Sequence, residues 1–330
     1  MLRRSIAWPL ALPLLAACTD AGPAEPDGAL GLDAAAYLED AVNILQLWSV
    51  NRYEIDWPSF RAETIADAGG AMTIEETYPA IEAAIERLGD GHSFFRRPIE
   101  GPPAPEGDQP SASRLGEIGY VDVTRFSGGG ADADALASEY HRLIEGVDTL
   151  GATCRWVVDV RGNTGGNMWP MVAGVGPILG EDTVGFFIDP DSLTKSWVYA
   201  AGEASIDDVV ITAASPSYEL ETPRPYVAVL TDGQTASSGE AVAVAFRGRA
   251  GARSFGEPTW GVSTANSAFP LIDGAVIFLT VSTMVDRTGT IYGAELTPDE
   301  IVSRGAKTGD PTTDRVLDAA VQWLAAQTCS

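Results

Sequence analysis

The chain has 330 residues, a formal charge of −25 and 45% hydrophobic residues, enough apolar material for one large or two modest cores. Wholesale disorder is excluded by that apolar content. Nucleic acid is a poor partner for so acidic a chain, because phosphate binding needs clustered basic side chains and the only lysines are Lys195 and Lys307.

Residues 1–17 combine a basic start at Arg3 and Arg4 with an apolar run broken by Pro9 and Pro13, too short to span a bilayer. They read as a secretory signal. The small residues leading to Cys18 resemble a bacterial lipobox, which implies a lipidated Cys18, a membrane anchor and a place in the bacterial cell envelope. Residues 18–32, rich in Ala, Pro, Gly and Asp, are expected to be a flexible tether. Of the remaining cysteines, Cys154 reads as a buried core thiol and Cys329 as a tail residue, and no disulfide is expected between them.

Helical periodicity starts at Asp33, where Ala36, Leu38, Ala41, Ile44, Leu45 and Trp48 recur at spacings of three and four. Tyr78, Ile81, Ile85 and Leu88 repeat the pattern, so residues 33–97 read as a small helical domain. Residues 98–113, with Pro98, Pro102, Pro103, Pro105 and Pro110, form a linker. Residues 114–330 then alternate strand and helix signals: strands at Ile118 to Thr124 and Trp156 to Val160, a helix from Ala133 to Val147, and a second helix from Met168 to Leu179. Strands follow at Val184 to Ile188, Ser196 to Ala200, Tyr226 to Leu230, Ala268 to Ile272 and Ala275 to Met284, and a helix from Thr313 to Gln327 closes the chain. The pattern by itself gives a mixed α/β fold.

Between the strand at Tyr226 and the helix-like Ala241 to Phe246 lies Thr235-Ala236-Ser237-Ser238-Gly239-Glu240. A serine at a strand-to-helix corner exposes its hydroxyl beside the free amides of a helix start, as acyl transfer requires. The competing reading is a helix N-cap. Two further segments favour the nucleophile: Leu88-Gly89-Asp90-Gly91-His92-Ser93-Phe94-Phe95, and Val157-Val158-Asp159-Val160-Arg161-Gly162-Asn163-Thr164-Gly165-Gly166-Asn167. In this order the three resemble the signature segments of the C-terminal (tail-specific) processing peptidases, a family of serine proteases. The resemblance runs from about Leu38 to Val302 and includes Gly256-Glu257-Pro258-Thr259-Trp260-Gly261. It implies a crotonase-like or ClpP-like β/α core and a peptide or unfolded protein as substrate. Family members often carry a PDZ module where the proline-rich linker stands here, and the linker is too short to hold one.

A serine hydroxyl needs a base. Many processing peptidases resemble a serine/lysine dyad, but Val262 occupies the lysine position after Gly261. The tricorn-like branch uses a histidine instead, and His92 matches it. His141 is expected on a solvated helix flank, and Lys195 and Lys307 lie outside the motifs. In that branch a late acid orients the histidine; Glu295 lies in the corresponding segment, with Glu240 and Asp299 in reserve, while Glu257 is expected to brace its own turn. Gly165 or Gly166, with the amide of Ser238, would form the oxyanion hole. Read as a phosphate loop, the same glycine turn lacks a Walker ending. No cofactor is called for, and no His/Cys cluster has metal-ligand spacing. The leading expectation is a lipid-anchored serine endopeptidase. Its rival is a non-catalytic lipid- or peptide-binding protein on the same scaffold, favoured by the missing lysine and by eight tryptophans that could line an apolar cleft.

Overall fold

The computed structural model describes residues 29–99, 107–151, 153–303 and 305–329. Cys18 and the leader lie outside the described residues. The front of the chain forms α1 (Leu32–Trp48), α2 (Trp57–Asp67) and α3 (Tyr78–Arg87), followed by the short β1 (Phe94–Arg96). The α1 stripe buries Tyr37, Leu38, Ala41, Val42 and Leu45 against Ile81 and Ile85 of α3. This apolar cluster continues into Ile277 and Leu279, so the helices share a core with the strand that carries those residues.

The chain then runs through β2 (Ser111–Leu115), β3 (Ile118–Asp122), α4 (Ala131–Asp148), β4 (Arg155–Asp159), α5 (Met168–Gly174) and α6 (Gly176–Leu179). The expected helix from Met168 to Leu179 is thus two pieces, broken where Gly176 meets the Tyr199 ring and Pro177 interrupts the amide ladder. Next come β5 (Asp182–Ile188), β6 (Thr194–Ala200), β7 (Glu203–Ile206), β8 (Val209–Ala213), β9 (Tyr226–Thr231), α7 (Ser238–Phe246) and β10 (Ala252–Gly256). The last elements are β11 (Thr264–Pro270), β12 (Val276–Asp286), β13 (Glu300–Ile301) and α8 (Arg315–Ala325).

Among the described residues the strands form two sheets. In one, β13, β10, β9, β4 and β3 run parallel and β2 joins antiparallel at the edge. Its inner strands are buried on both faces, as parallel strands covered on each side must be. Helix α8 covers one face through Val316, Leu317, Ala320 and Leu324. Helices α4, α5 and α7 cover the other and separate it from the second sheet. That sheet is antiparallel in the order β1-β12-β5-β6-β7-β8, with β11 also on β12. Residues Val276 to Phe278 pair with both β1 and β11, which therefore lie on opposite edges of β12.

Two expectations are corrected here. Cys154 and Cys329 form a disulfide, with Cα atoms 5.9 Å apart, because α8 returns the tail to the start of β4. His141 is 1% exposed rather than solvated. The segment after β8 crosses its flank, so that Tyr218 N donates to Nδ1 at 2.8 Å while Nε2 lies 2.9 Å from the Ala173 carbonyl.

Candidate active site

Strand β9 ends in a turn that is stitched to the turn after β4. Asp232 Oδ1 accepts from the amides of Gly162, Gln234 and Thr235, and Thr235 Oγ1 donates to the Val160 carbonyl. Ala236 N donates to the Asn163 carbonyl at 2.9 Å, which fixes the entry to Ser237. Ser237 itself sits at φ 50°, ψ −111°. A non-glycine residue there stores roughly 1–3 kcal/mol of strain, and such residues cluster at functional sites. Ser237 is also the N-cap of helix α7, which begins at the next residue, so the capping position and the candidate nucleophile are the same residue.

Glu240, fully buried, holds this corner. Its carboxylate accepts from Ser237 N at 2.8 Å, Gly261 N and Val262 N at 3.0 Å and Thr259 Oγ1 at 2.5 Å. Burial raises its pKa above the ordinary carboxylate value, against the effect of those donors. Glu240 therefore clasps the nucleophile's own amide to the Thr259–Val262 turn and does not face the imidazole.

His92 arrives from the turn after α3, where Gly89 and Gly91 take φ of 71° and 66°. Asp90 Oδ1 accepts from the amides of His92 and Ser93 at 2.8 and 2.7 Å, and Asn266 Nδ2 donates to the His92 carbonyl at 2.8 Å. The ring's Nε2 lies 3.0 Å from Ser237 Oγ and its Nδ1 lies 2.7 Å from Thr264 Oγ1. Burial lowers the pKa of His92, and the charge of Asp90 opposes that shift. The neutral ring is thus favoured near pH 7, with Nδ1–H donating to Thr264 and Nε2 free to accept from Ser237.

The imidazole's second partner is therefore a hydroxyl, and the expectation for Glu295 is corrected: Glu295 is exposed on its loop, and Thr264 occupies Nδ1. Asp299 is also elsewhere, bonded to Ser254 and Arg247. Thr264 was missed because its motif position was read only for a lysine at Val262. Two residues further along an extended segment returns to the same side, which is the signal that could have found it.

At the glycine turn the two candidates part. Gly165 N donates to Asn163 Oδ1 at 2.9 Å, so that amide is engaged, which corrects its assignment to the oxyanion hole. Gly165 instead supplies room: a Cβ there would stand 2.9 Å from the Cβ of Ser237. The carbonyl of Gly165 accepts from Phe126 N, so the trans peptide turns the Gly166 N–H the opposite way. Ser238 Oγ donates to the Gly166 carbonyl at 2.7 Å and ties the turn to the start of α7, whose first amide has no acceptor within the helix. Gly166, Ser237, Ser238, His92 and Val262 all line one cleft of about 1900 Å³.

Residues 117–302, more than half of the chain, match the peptidase family S41. The chain belongs to that family. Over 275 residues it is 28% identical to a nisin-resistance protein of Lactococcus lactis subsp. lactis, covering 82% of this chain and 81% of that protein. A carboxyl-terminal-processing protease of Synechocystis is 29% identical over 203 residues, 61% of this chain but only 42% of that longer protein. Among solved structures, a lipoprotein from Streptococcus agalactiae superposes with a TM-score of 0.70 at 21% identity, covering 91% of this chain and 99% of that one. A photosystem II D1 C-terminal processing protease superposes at 0.58 with 15% identity, covering 85% and 96%. The chain thus shares the mixed α/β fold of the processing proteases, and its family membership supports a serine protease function. His92 lies outside the family-matched span.

Proposed function

We propose that this chain is a serine endopeptidase of the bacterial cell envelope that works through a Ser237/His92 pair. The observation that carries the reading is the 3.0 Å contact between His92 Nε2 and Ser237 Oγ, two groups 145 positions apart in the chain. In this reading Nε2 takes the hydroxyl proton as Oγ attacks a peptide carbonyl. The developing oxyanion receives the amides of Gly166 and Ser238, each such donor being worth roughly 3 kcal/mol in the transition state. Thr264 holds the ring in the tautomer that can accept, and Asp90 is the charge that favours the imidazolium. The imidazolium then protonates the leaving amine, and water hydrolyses the acyl-enzyme by the same route in reverse. Val262, packed in the cleft, leaves the lysine route without its base.

A leader ending at Cys18 and the likeness to a structure described as a lipoprotein support an envelope location with a lipid anchor. The nisin-resistance relative makes nisin a substrate to try beside unfolded proteins and peptide libraries. The parent protein should cleave peptide and be labelled by a fluorophosphonate, while Ser237→Ala and His92→Ala lose at least about 10³-fold in kcat/KM. Equal activity in all three proteins would discard the reading. Saturable ligand binding without labelling of Ser237 would favour a carrier on the same scaffold.

A further inference from the structure

Strand β11 begins at Thr264, the partner of His92, and leads away from the site. Because β12 takes one of its edges and no other strand pairs with it among the described residues, its second edge is open. Thr264, Ala265, Asn266, Ser267, Ala268 and Phe269 all line the cleft that holds Ser237, and Ser267 and Ala268 are exposed. An open strand edge offers alternate N–H and C=O groups to an extended peptide. At its far end Phe269 pairs with Trp48, ring centroids 6.0 Å apart, beside Leu47. Trp48 and Leu47, at the C-terminal end of α1, are 53% and 64% exposed, so this apolar patch stands uncovered inside the cleft.

We propose that the substrate lies as a strand along β11, and that Leu47, Trp48 and Phe269 form a remote subsite for an apolar side chain. Phe269 stands five positions beyond Thr264 along β11, about 17 Å at strand spacing, so the anchor falls about five residues from the scissile bond. The proposal rests on the peptidase reading above and adds a substrate rule to it: an extended peptide with an apolar residue at a fixed remove from the cut.

The test uses the full chain and a cleaved, otherwise polar peptide in which a single leucine is walked one position at a time on each side of the scissile bond. The expected result is a maximum in kcat/KM, about tenfold over the leucine-free peptide, when the leucine stands about five residues away on one side. Trp48→Ser and Leu47→Ser, both at half-exposed positions, should each reduce that gain measured against the leucine-free peptide in the same variant. A flat response to the walk, or a gain that persists in both variants, overturns the subsite. If the parent chain neither cleaves nor is labelled at Ser237, the peptidase reading has failed instead.

Discussion

A hydroxyl at Nδ1 of His92 fixes the ring's tautomer as a carboxylate would, but it brings no charge to the imidazolium. The nearby charge that favours protonation is that of Asp90, whose carboxylate is already shared by two amides and the Ser93 hydroxyl. Burial dominates, so the pKa of His92 lies below the ordinary imidazole value of about 6.5. Since the base must be neutral to accept, kcat/KM should be level above that value and fall as pH drops through the lowered pKa. Asp90→Asn removes the opposing charge and should move the fall to still lower pH; a pH–rate profile of both proteins reads the shift, and movement to higher pH would contradict this account. At the same scale Glu295 shows what residue type cannot convey. Its place in a late motif suggested an orienting acid, yet the loop carries it to the surface and leaves the role to Thr264.

Among the elements, strong periodicity was legible and weak periodicity was not. Helices α1, α3, α4 and α8 and the buried strands β4 and β9 lie within a few residues of their expected positions, because each carries a regular apolar stripe or an unbroken apolar run. The hairpin β7–β8 shows no such pattern in Glu203–Ile206 (Glu-Ala-Ser-Ile), and its short apolar run Val209 to Ile211 is exposed at the sheet's end rather than buried. Strand β10, Ala252–Gly256, is too mixed in composition to stand out, yet it is an inner strand of the parallel sheet, between β13 and β9. The motif around Asp159 was read for its glycines, but its charged residues join two elements. Arg161, 3% exposed on its side chain, bonds both Asp159 and Asp314, the N-cap of α8, and its pKa is raised by those carboxylates despite burial. Asp314→Ala should therefore cost about 3–5 kcal/mol in urea denaturation, because it leaves a buried guanidinium short of a partner and α8 without its cap. A loss under about 1 kcal/mol would mean that water replaces the carboxylate at no cost.

At the scale of the whole molecule the Cys154–Cys329 bridge encloses 175 residues of sequence, including the nucleophile and the glycine turn. A cross-link over so long a loop restricts the unfolded chain by up to about 5 kcal/mol, so reduction should lower the melting temperature markedly, Cys154→Ser should lower it by a similar amount, and reduction should add nothing in that variant. An unchanged melting temperature under reducing conditions would show that α8 docks without the covalent tie. The catalytic pair spans the molecule in another sense. The imidazole belongs to the helical front and the alcohol to the family-matched core, and the apolar cluster joining them runs from α1 and α3 into β12. On the peptidase reading, a chain synthesised from its N-terminus presents its base long before its nucleophile, and neither can act until the two halves have closed on each other. Completed folding would then be the licence to cut, sparing the unfinished copies of the enzyme, themselves the nearest unfolded polypeptides, from digestion by their own kind.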